Sequence, residues 1–169
     1  MVAHAADTLT AMRLVVAGAI AVALSQGRTT LAAGLLVVGW MTDALDGPLA
    51  RSTPVPTRLG AVDPLADAAL GAGVIVGMIL DDRLGSAWLI PPIVLAAVMI
   101  GARSEAAGML LQAFGYAALF WMLGVDSNVQ AAAMVFAGIG IVVAIHGRRL
   151  MSEMLPKFFA DVRRLAGRS

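Results

Sequence analysis

Apolar residues run along the chain in blocks separated by short polar breaks, and each block is long enough to cross a bilayer, which takes about 17 to 25 residues as a helix. The blocks occupy 8–25, 30–51, 59–80, 86–103, 106–124 and 129–147. Between them lie Ser25-Gln26-Gly27-Arg28, Pro54-Val55-Pro56, Asp81-Asp82-Arg83 and the stretches 101–105 and 124–128, which hold the residues that end helices and make turns. Six helices are predicted. Pro91-Pro92 should kink the fourth or shift its start. After the last block Leu150, Met151, Met154, Leu155, Phe158, Phe159, Val162 and Leu165 recur at helical spacing, with Lys157, Arg163, Arg164 and Arg168 at other positions. This predicts an amphipathic helix lying on an anionic leaflet, interrupted or restarted at Pro156; a basic stop after the last span explains the charges equally well.

Composition turns the helices into a membrane bundle. The chain is 60% hydrophobic and has a mean hydropathy of +0.87, above an ordinary soluble domain. The expected fold is therefore all-α, a polytopic membrane protein with a six-transmembrane-helix bundle and a C-terminal amphipathic helix, forming one domain over 1–169. No cleavable leader is expected, because the first apolar run begins close to Met1 and no clear cleavage site precedes the second. Cysteine is absent, and His4 and His146 lie near opposite ends of the chain, which argues against a disulfide framework, a thiolate site, zinc or haem. Arginine sets the orientation. With the N-terminus inside, Arg13, Arg51, Arg58, Arg103, Arg148, Arg149 and the basic tail all fall on or near the inner side, leaving Arg28 and Arg83 outside. Both termini are expected to be cytoplasmic. Scarce lysine beside abundant arginine, alanine, glycine and valine suits a GC-rich prokaryote, hence its plasma membrane, and no nucleic-acid partner is expected.

One stretch breaks the apolar pattern. From Asp43 to Asp67 the chain reads DALDGPLARSTPVPTRLGAVDPLAD, with four carboxylates and two arginines at the edge of apolar segments. A charge at membrane depth costs on the order of 2.5 to 3.5 kcal/mol on insertion scales, so such groups persist with a partner or a function. Asp43 and Asp46 are three residues apart and Asp63 and Asp67 four apart, so each pair shares a helix face and two helices can present four carboxylates to one cavity. Asp63 and Asp67 fall in a first turn, where the helix dipole favours an anion. Asp43 and Asp46 lie toward a C-terminal end, where it does not, and need a nearby cation. Arg51 and Arg58 are available for this, but clustered oxygen donors without histidine or cysteine better suit a hard divalent ion, Mg²⁺ or Mn²⁺. Gly47 and Ala50 keep the helix surface small beside the cluster, and Arg51 offers a planar fork for phosphate. Metal, phosphate and the cytoplasmic membrane face together indicate phosphoryl-group chemistry on a substrate with one lipid end.

These residues resemble the signature of the CDP-alcohol phosphotransferases, D-x-x-D-G-x-x-A-R followed after eight residues by G-x-x-x-D-x-x-x-D. The first block matches at Asp43, Asp46, Gly47, Ala50 and Arg51, and Gly60 follows at the expected distance. The second block departs: two residues separate Gly60 from Asp63 where the family has three, while the Asp63 to Asp67 spacing is the usual one. Upstream, Asp7-Thr8-Leu9-Thr10-Ala11-Met12-Arg13 is similar to the family's first-helix pattern N-x-x-T-x-x-R, with Asp7 in place of asparagine. Ala68 stands where many relatives have lysine. The resemblance implies a six-helix, usually homodimeric enzyme that transfers a substituted phosphate from a CDP-linked donor to an alcohol and releases CMP. By matching positions, Asp43, Asp46 and Asp63 would bind two metal ions with Asp67, which would also act as general base, and Gly47, Ala50, Arg51 and Gly60 would hold the CDP portion. CDP-diacylglycerol is the expected donor. Glycerol 3-phosphate is the preferred acceptor on the small size of the chain, with inositol phosphate and serine still open.

Two other readings compete, a divalent-cation transporter built on the same aspartates and a non-catalytic relative that binds CDP-lipids. Transport needs polar residues that continue across the bundle, and 31–38 and 71–80 contain no ionisable residue. Arg58 and Arg103 are candidates for a phosphate on the acceptor, with Glu105 orienting Arg103, although the inside-positive bias accounts for both arginines. Gly73 and Gly77 form a small-xxx-small pair for close packing, inside the bundle or between copies. Trp40, Trp88 and Trp121 read as anchors or packing, and Asp81, Asp82 and Asp126 as solvated charges on the outer side.

Overall fold

Apolar helices joined by short polar turns bury their surfaces against one another and form a bundle. The computed structural model describes residues 2–51 and 63–167, and side chains within 8–44, 65–145, 147 and 151–167. The helices are α1 (Val2–Ser25), α2 (Thr29–Arg51), α3 (Asp63–Leu80), α4 (Ile90–Gly101), α5 (Glu105–Asp126), α6 (Val129–Arg149) and α7 (Leu155–Ala166). A 3-10 turn, Ser86–Leu89, leads into α4, and a π-helical segment, Leu150–Met154, joins α6 to α7. The described residues contain no strand. Thr8–Ser25 and Glu105–Asp126 are long and apolar enough to cross a membrane, and Thr29–Ala44, Leu65–Leu80, Ser86–Gly101 and Val129–Ile145 are shorter apolar helices.

The helix ends have local causes. Gly27 closes α1 at φ +66°, where a residue with a Cβ is strained, and the turn lets the Arg28 amide donate to Ala23 at 2.9 Å. Asp82 and Arg103 take the same left-handed conformation after α3 and α4, with Arg83 donating to Met78 at 2.9 Å and Ser104 to Met99 at 3.1 Å. Pro91 and Pro92 fall in the first turn of α4, where a missing amide proton costs no helical bond. The proline pair shifts the start of the helix and leaves it without an internal break.

In the bundle, α1 lies between α2 and α3, α3 between α1 and α5, α6 beside α2 and α4 against α5, while α2 and α3 barely meet. Ile20, Leu36, Ile75, Met78, Leu119 and Met122 fill the main core. Large apolar side chains such as Val15, Ile93, Val129 and Phe136 face outward, a surface suited to lipid.

Glycine sets the closest crossings. A Cβ on Gly73 would come within 2.4 Å of the Ala17 carbonyl oxygen, and one on Gly77 within 2.9 Å of the Ala21 Cα, so this pair packs inside the bundle against α1. A second crossing, which the sequence did not announce, joins α3 to α5: a Cβ on Gly115 would lie 2.3 Å from the Gly71 carbonyl oxygen and 2.5 Å from its Cα. Gly115→Ala gains about 1 kcal/mol of helix propensity. Against that, overpacking costs about 1 to 3 kcal/mol, at the upper end here because the obstruction is backbone and cannot rotate away. The expected result is a net loss near 2 kcal/mol, read as a lowered unfolding midpoint in detergent, with Gly124→Ala, which meets nothing within 4 Å, as the control.

Arg83 corrects the reading of the outer loops. Its Nε donates to Asp81 and its Nη1 to Asp126, both at 2.5 Å, so two of the three aspartates taken as solvated charges tie the end of α3 to the end of α5. These bonds, Asp126 first and then Asp81, raise the pKa of a guanidinium that is charged anyway.

Candidate functional site

Arg13 is the largest fully buried side chain in the protein as described. It sits mid-way along α1, the helix that separates α2 from α3, and reaches to both sides. Its Nη1 donates to the Asp43 Oδ1 on α2 at 3.2 Å and, in a shorter contact, to the Asp67 Oδ1 on α3. The guanidinium is 0% exposed, whereas the Asp43 and Asp67 side chains are 53% and 25% exposed. One desolvated nitrogen therefore joins two carboxylates that both remain open to a ligand. The cation required near Asp43 is supplied by Arg13, which the sequence places thirty positions away and which had been read as part of the inside-positive bias and of the first-helix pattern.

Asp43 and Asp67 line one cavity of about 290 Å³ together with Trp40, Leu70, Gln112, Tyr116, Ile139, Val142 and Val143. Four helices form its wall, α2, α3, α5 and α6, and α1 stands behind with Arg13. Trp40 and Tyr116 meet edge to face with ring centroids 5.3 Å apart, which braces the wall between α2 and α5. Most of the lining is apolar; the carboxylates, the Gln112 amide and the Tyr116 hydroxyl supply its polar groups. Gln112 and Tyr116 escaped sequence reasoning because each is a single polar residue on an apolar helix. Their spacing of four, which sets them on one face of α5, was the available signal.

A family model for CDP-alcohol phosphatidyltransferases matches residues 3–146. The chain belongs to this family. No curated protein and no solved structure gave a match. CDP-alcohol phosphatidyltransferases are membrane transferases of phospholipid biosynthesis; they take CDP-alcohol substrates and generally use divalent metal ions.

Within the transferase fold the remaining expected site residues are placed as follows. Asp46, Gly47, Ala50 and Arg51 lie on α2, the first of them one turn beyond Asp43, and Asp63 opens α3 one turn before Asp67; only their backbone is described. Arg58 and Gly60 lie outside the described residues, as does Arg168 of the tail. Arg103 is exposed on the turn between α4 and α5 and does not line the cavity; its carbonyl accepts a bond from the Arg164 guanidinium at 3.4 Å.

That turn holds a second polar cluster, which joins the tail to the transferase bundle. Ser104 caps α5, its Oγ accepting from the Ala107 amide at 3.1 Å and donating to the Asp161 carboxylate of α7 at 2.7 Å. Asp161 also accepts from the Ala106 amide at 3.0 Å and pairs with Arg164. A carboxylate from one helix thus completes the N-terminal cap of another. The Ala106 bond first, then Ser104 and the Arg164 charge, lower the Asp161 pKa. A depressed carboxylate contributes its full stabilisation above the ordinary value of about 3.9 and loses it as pH falls through the lower folded value. The protection factor of the Ala106 amide, its exchange rate relative to the unstructured chain at the same pH, is accordingly expected to stay constant from neutral pH to about pH 4 and to fall below it. Asp161→Asn should give the lowered protection at every pH.

Proposed function

We propose that the protein transfers a phosphatidyl group from CDP-diacylglycerol to an alcohol and releases CMP. The observation that carries the reading is the meeting of Asp43 and Asp67, from two helices that barely touch, at one cavity and on one buried guanidinium. Asp46 and Asp63, a helical turn from each, belong to the same end of the bundle. Four carboxylates outnumber Arg13, Arg51 and Arg58, an excess of negative charge that a divalent cation offsets, and all the donors are oxygen. The residues therefore fit Mg²⁺ or Mn²⁺, two ions in our reading, held by Asp43, Asp46, Asp63 and Asp67. Bound there, the metal would neutralise the diphosphate and the departing CMP.

The protein's own groups carry the rest. Arg51, with Gly47, Ala50 and Gly60, holds the CDP portion. The apolar wall of Leu70, Ile139, Val142 and Val143 receives the lipid side of the reactants and excludes water, which would otherwise compete as acceptor. The acceptor hydroxyl oxygen attacks the phosphorus that bears the diacylglycerol; a bond forms to that oxygen, the bond to the CMP oxygen breaks, and the hydroxyl proton passes to Asp67. Arg13 fixes Asp67 for this step. Arg103 lies away from the cavity, so an acceptor phosphate would rely on Arg58; glycerol 3-phosphate keeps its place as the first acceptor to try. We place the six spans in a prokaryotic plasma membrane with both termini and the site cytoplasmic, and we expect a homodimer whose interface does not use Gly73 and Gly77.

Cation transport finds no support in the packing, because Ile20, Leu36, Ile75 and Met78 occupy the core beyond the cavity. The decisive experiment is CMP release from CDP-diacylglycerol by the purified protein across a panel of alcohols, with Mg²⁺, with Mn²⁺ and with chelator. Release that depends on one alcohol and stops with chelator is expected. Nucleotide-induced stabilisation with no product from any alcohol would instead identify a CDP-lipid-binding relative.

A further inference from the structure

α7 is the most amphipathic helix of the chain, and only part of its apolar surface is used against the bundle. Phe158, Asp161 and Leu165 turn inward, at the spacing of one helix face, with Asp161 bound to Ser104 and Ala106. Beside that face runs a second stripe, Leu155, Phe159 and Val162, at i, i+4 and i+7, which is exposed, Phe159 to 56%. Arg163 borders the stripe, and Lys157 is on the far side of the helix, both exposed. The Asp161 bonds fix the rotation of α7 about its own axis, so the stripe has one permanent direction.

We infer that α7 docks through Leu155, Phe159 and Val162 on the anionic leaflet next to the site, with Arg163 at the edge of the stripe meeting lipid phosphates. An apolar stripe with a basic polar face is the pattern of a helix lying in the plane of an interface. The charge complementarity selects an anionic surface, at about 1 kcal/mol per cation near it, or about fivefold in occupancy. This inference rests on the reading that the bundle spans the membrane. It gives the tail a function apart from the reaction: α7, pinned to the start of α5 through Asp161, holds the bundle to the leaflet.

The chain has no cysteine, so one introduced thiol takes a polarity-sensitive fluorophore at a single position. Phe159→Cys, Val162→Cys, Ala160→Cys and Ile93→Cys, each in the full-length protein, are reconstituted into vesicles of zwitterionic lipid or of zwitterionic with anionic lipid, with brominated chains as quencher. Positions 159 and 162 are expected to be blue-shifted and quenched in anionic vesicles, position 160 to stay in water, and Arg163→Ser to reduce docking about fivefold, with Lys157→Ser, on the far side of the helix, having the smaller effect. Position 93, on the outer face of α4, reports the bundle itself and should be quenched in both lipids. Quenching at 93 with 159 and 162 in water overturns the docking alone. No quenching at 93 overturns the spanning reading with it. A blue shift at 159 that follows the protein-to-lipid ratio and ignores lipid charge assigns the stripe to a contact between copies and overturns the leaflet as its occupant.

Discussion

Asp67→Asn is expected to fold, to bind metal and nucleotide, and to lose CMP release by a factor of about 10² to 10⁴, the usual contribution of a positioned general base. Folding survives because the amide oxygen of asparagine accepts from Arg13 as the carboxylate Oδ1 does. Binding survives in part because Asp43, Asp46 and Asp63 remain. What disappears is a group able to take the hydroxyl proton. The measurement is single-turnover CMP release beside nucleotide-induced thermal stabilisation. Near-normal turnover in this variant would remove Asp67 from the base's role and leave the proposed metal site to Asp43, Asp46 and Asp63.

Arg13→Ala is expected to impair both stability and turnover. Breaking a buried ion pair costs about 3 to 5 kcal/mol when the remaining charge stays buried. Here the surviving carboxylates are partly exposed, Asp43 more than half, so solvent screens part of the loss, and about 2 to 3 kcal/mol is the expected decrease. Turnover should fall further than stability explains, since Asp43 and Asp67 lose the group that holds them together across α1. Arg13→Lys retains the charge but not the planar guanidinium and should recover most of the stability and little of the rate. An alanine variant with an unchanged unfolding midpoint and unchanged CMP release would show that the bridge is dispensable.

The helices were legible because apolar blocks and turn residues are local signals; the observed breaks at Gly27, at Asp82 and at the 101–104 turn fall where the sequence put them. The acidic pairs were legible for the same reason, each being a short-range spacing on one helix. Contacts between helices were not. Arg13 meets Asp67 across fifty-four positions; the first-helix pattern marked it as a matching residue, but no local spacing says which carboxylates it meets. Gly71 and Gly115 belong to different helices, so neither forms a spacing motif by itself. Asp161 passed unnoticed among the basic residues of the tail because its partners, Ser104 and the Ala106 amide, lie at the start of another helix. Pro91-Pro92 left two outcomes open, and the position of the pair within the first turn of α4 selected one.

The place of α1 between α2 and α3 has a consequence for the order of assembly. The acidic motif is synthesised on α2 and α3, yet those two helices cannot close on each other, and the residue that joins them is made earlier. Arg13 can meet Asp43 as soon as α2 packs on α1, but it must wait for the third helix before it gains Asp67. A fragment starting at Thr29 would hold all four aspartates and no site. Supplying residues 1–28 as a separate peptide is then a means of switching the enzyme on by complementation.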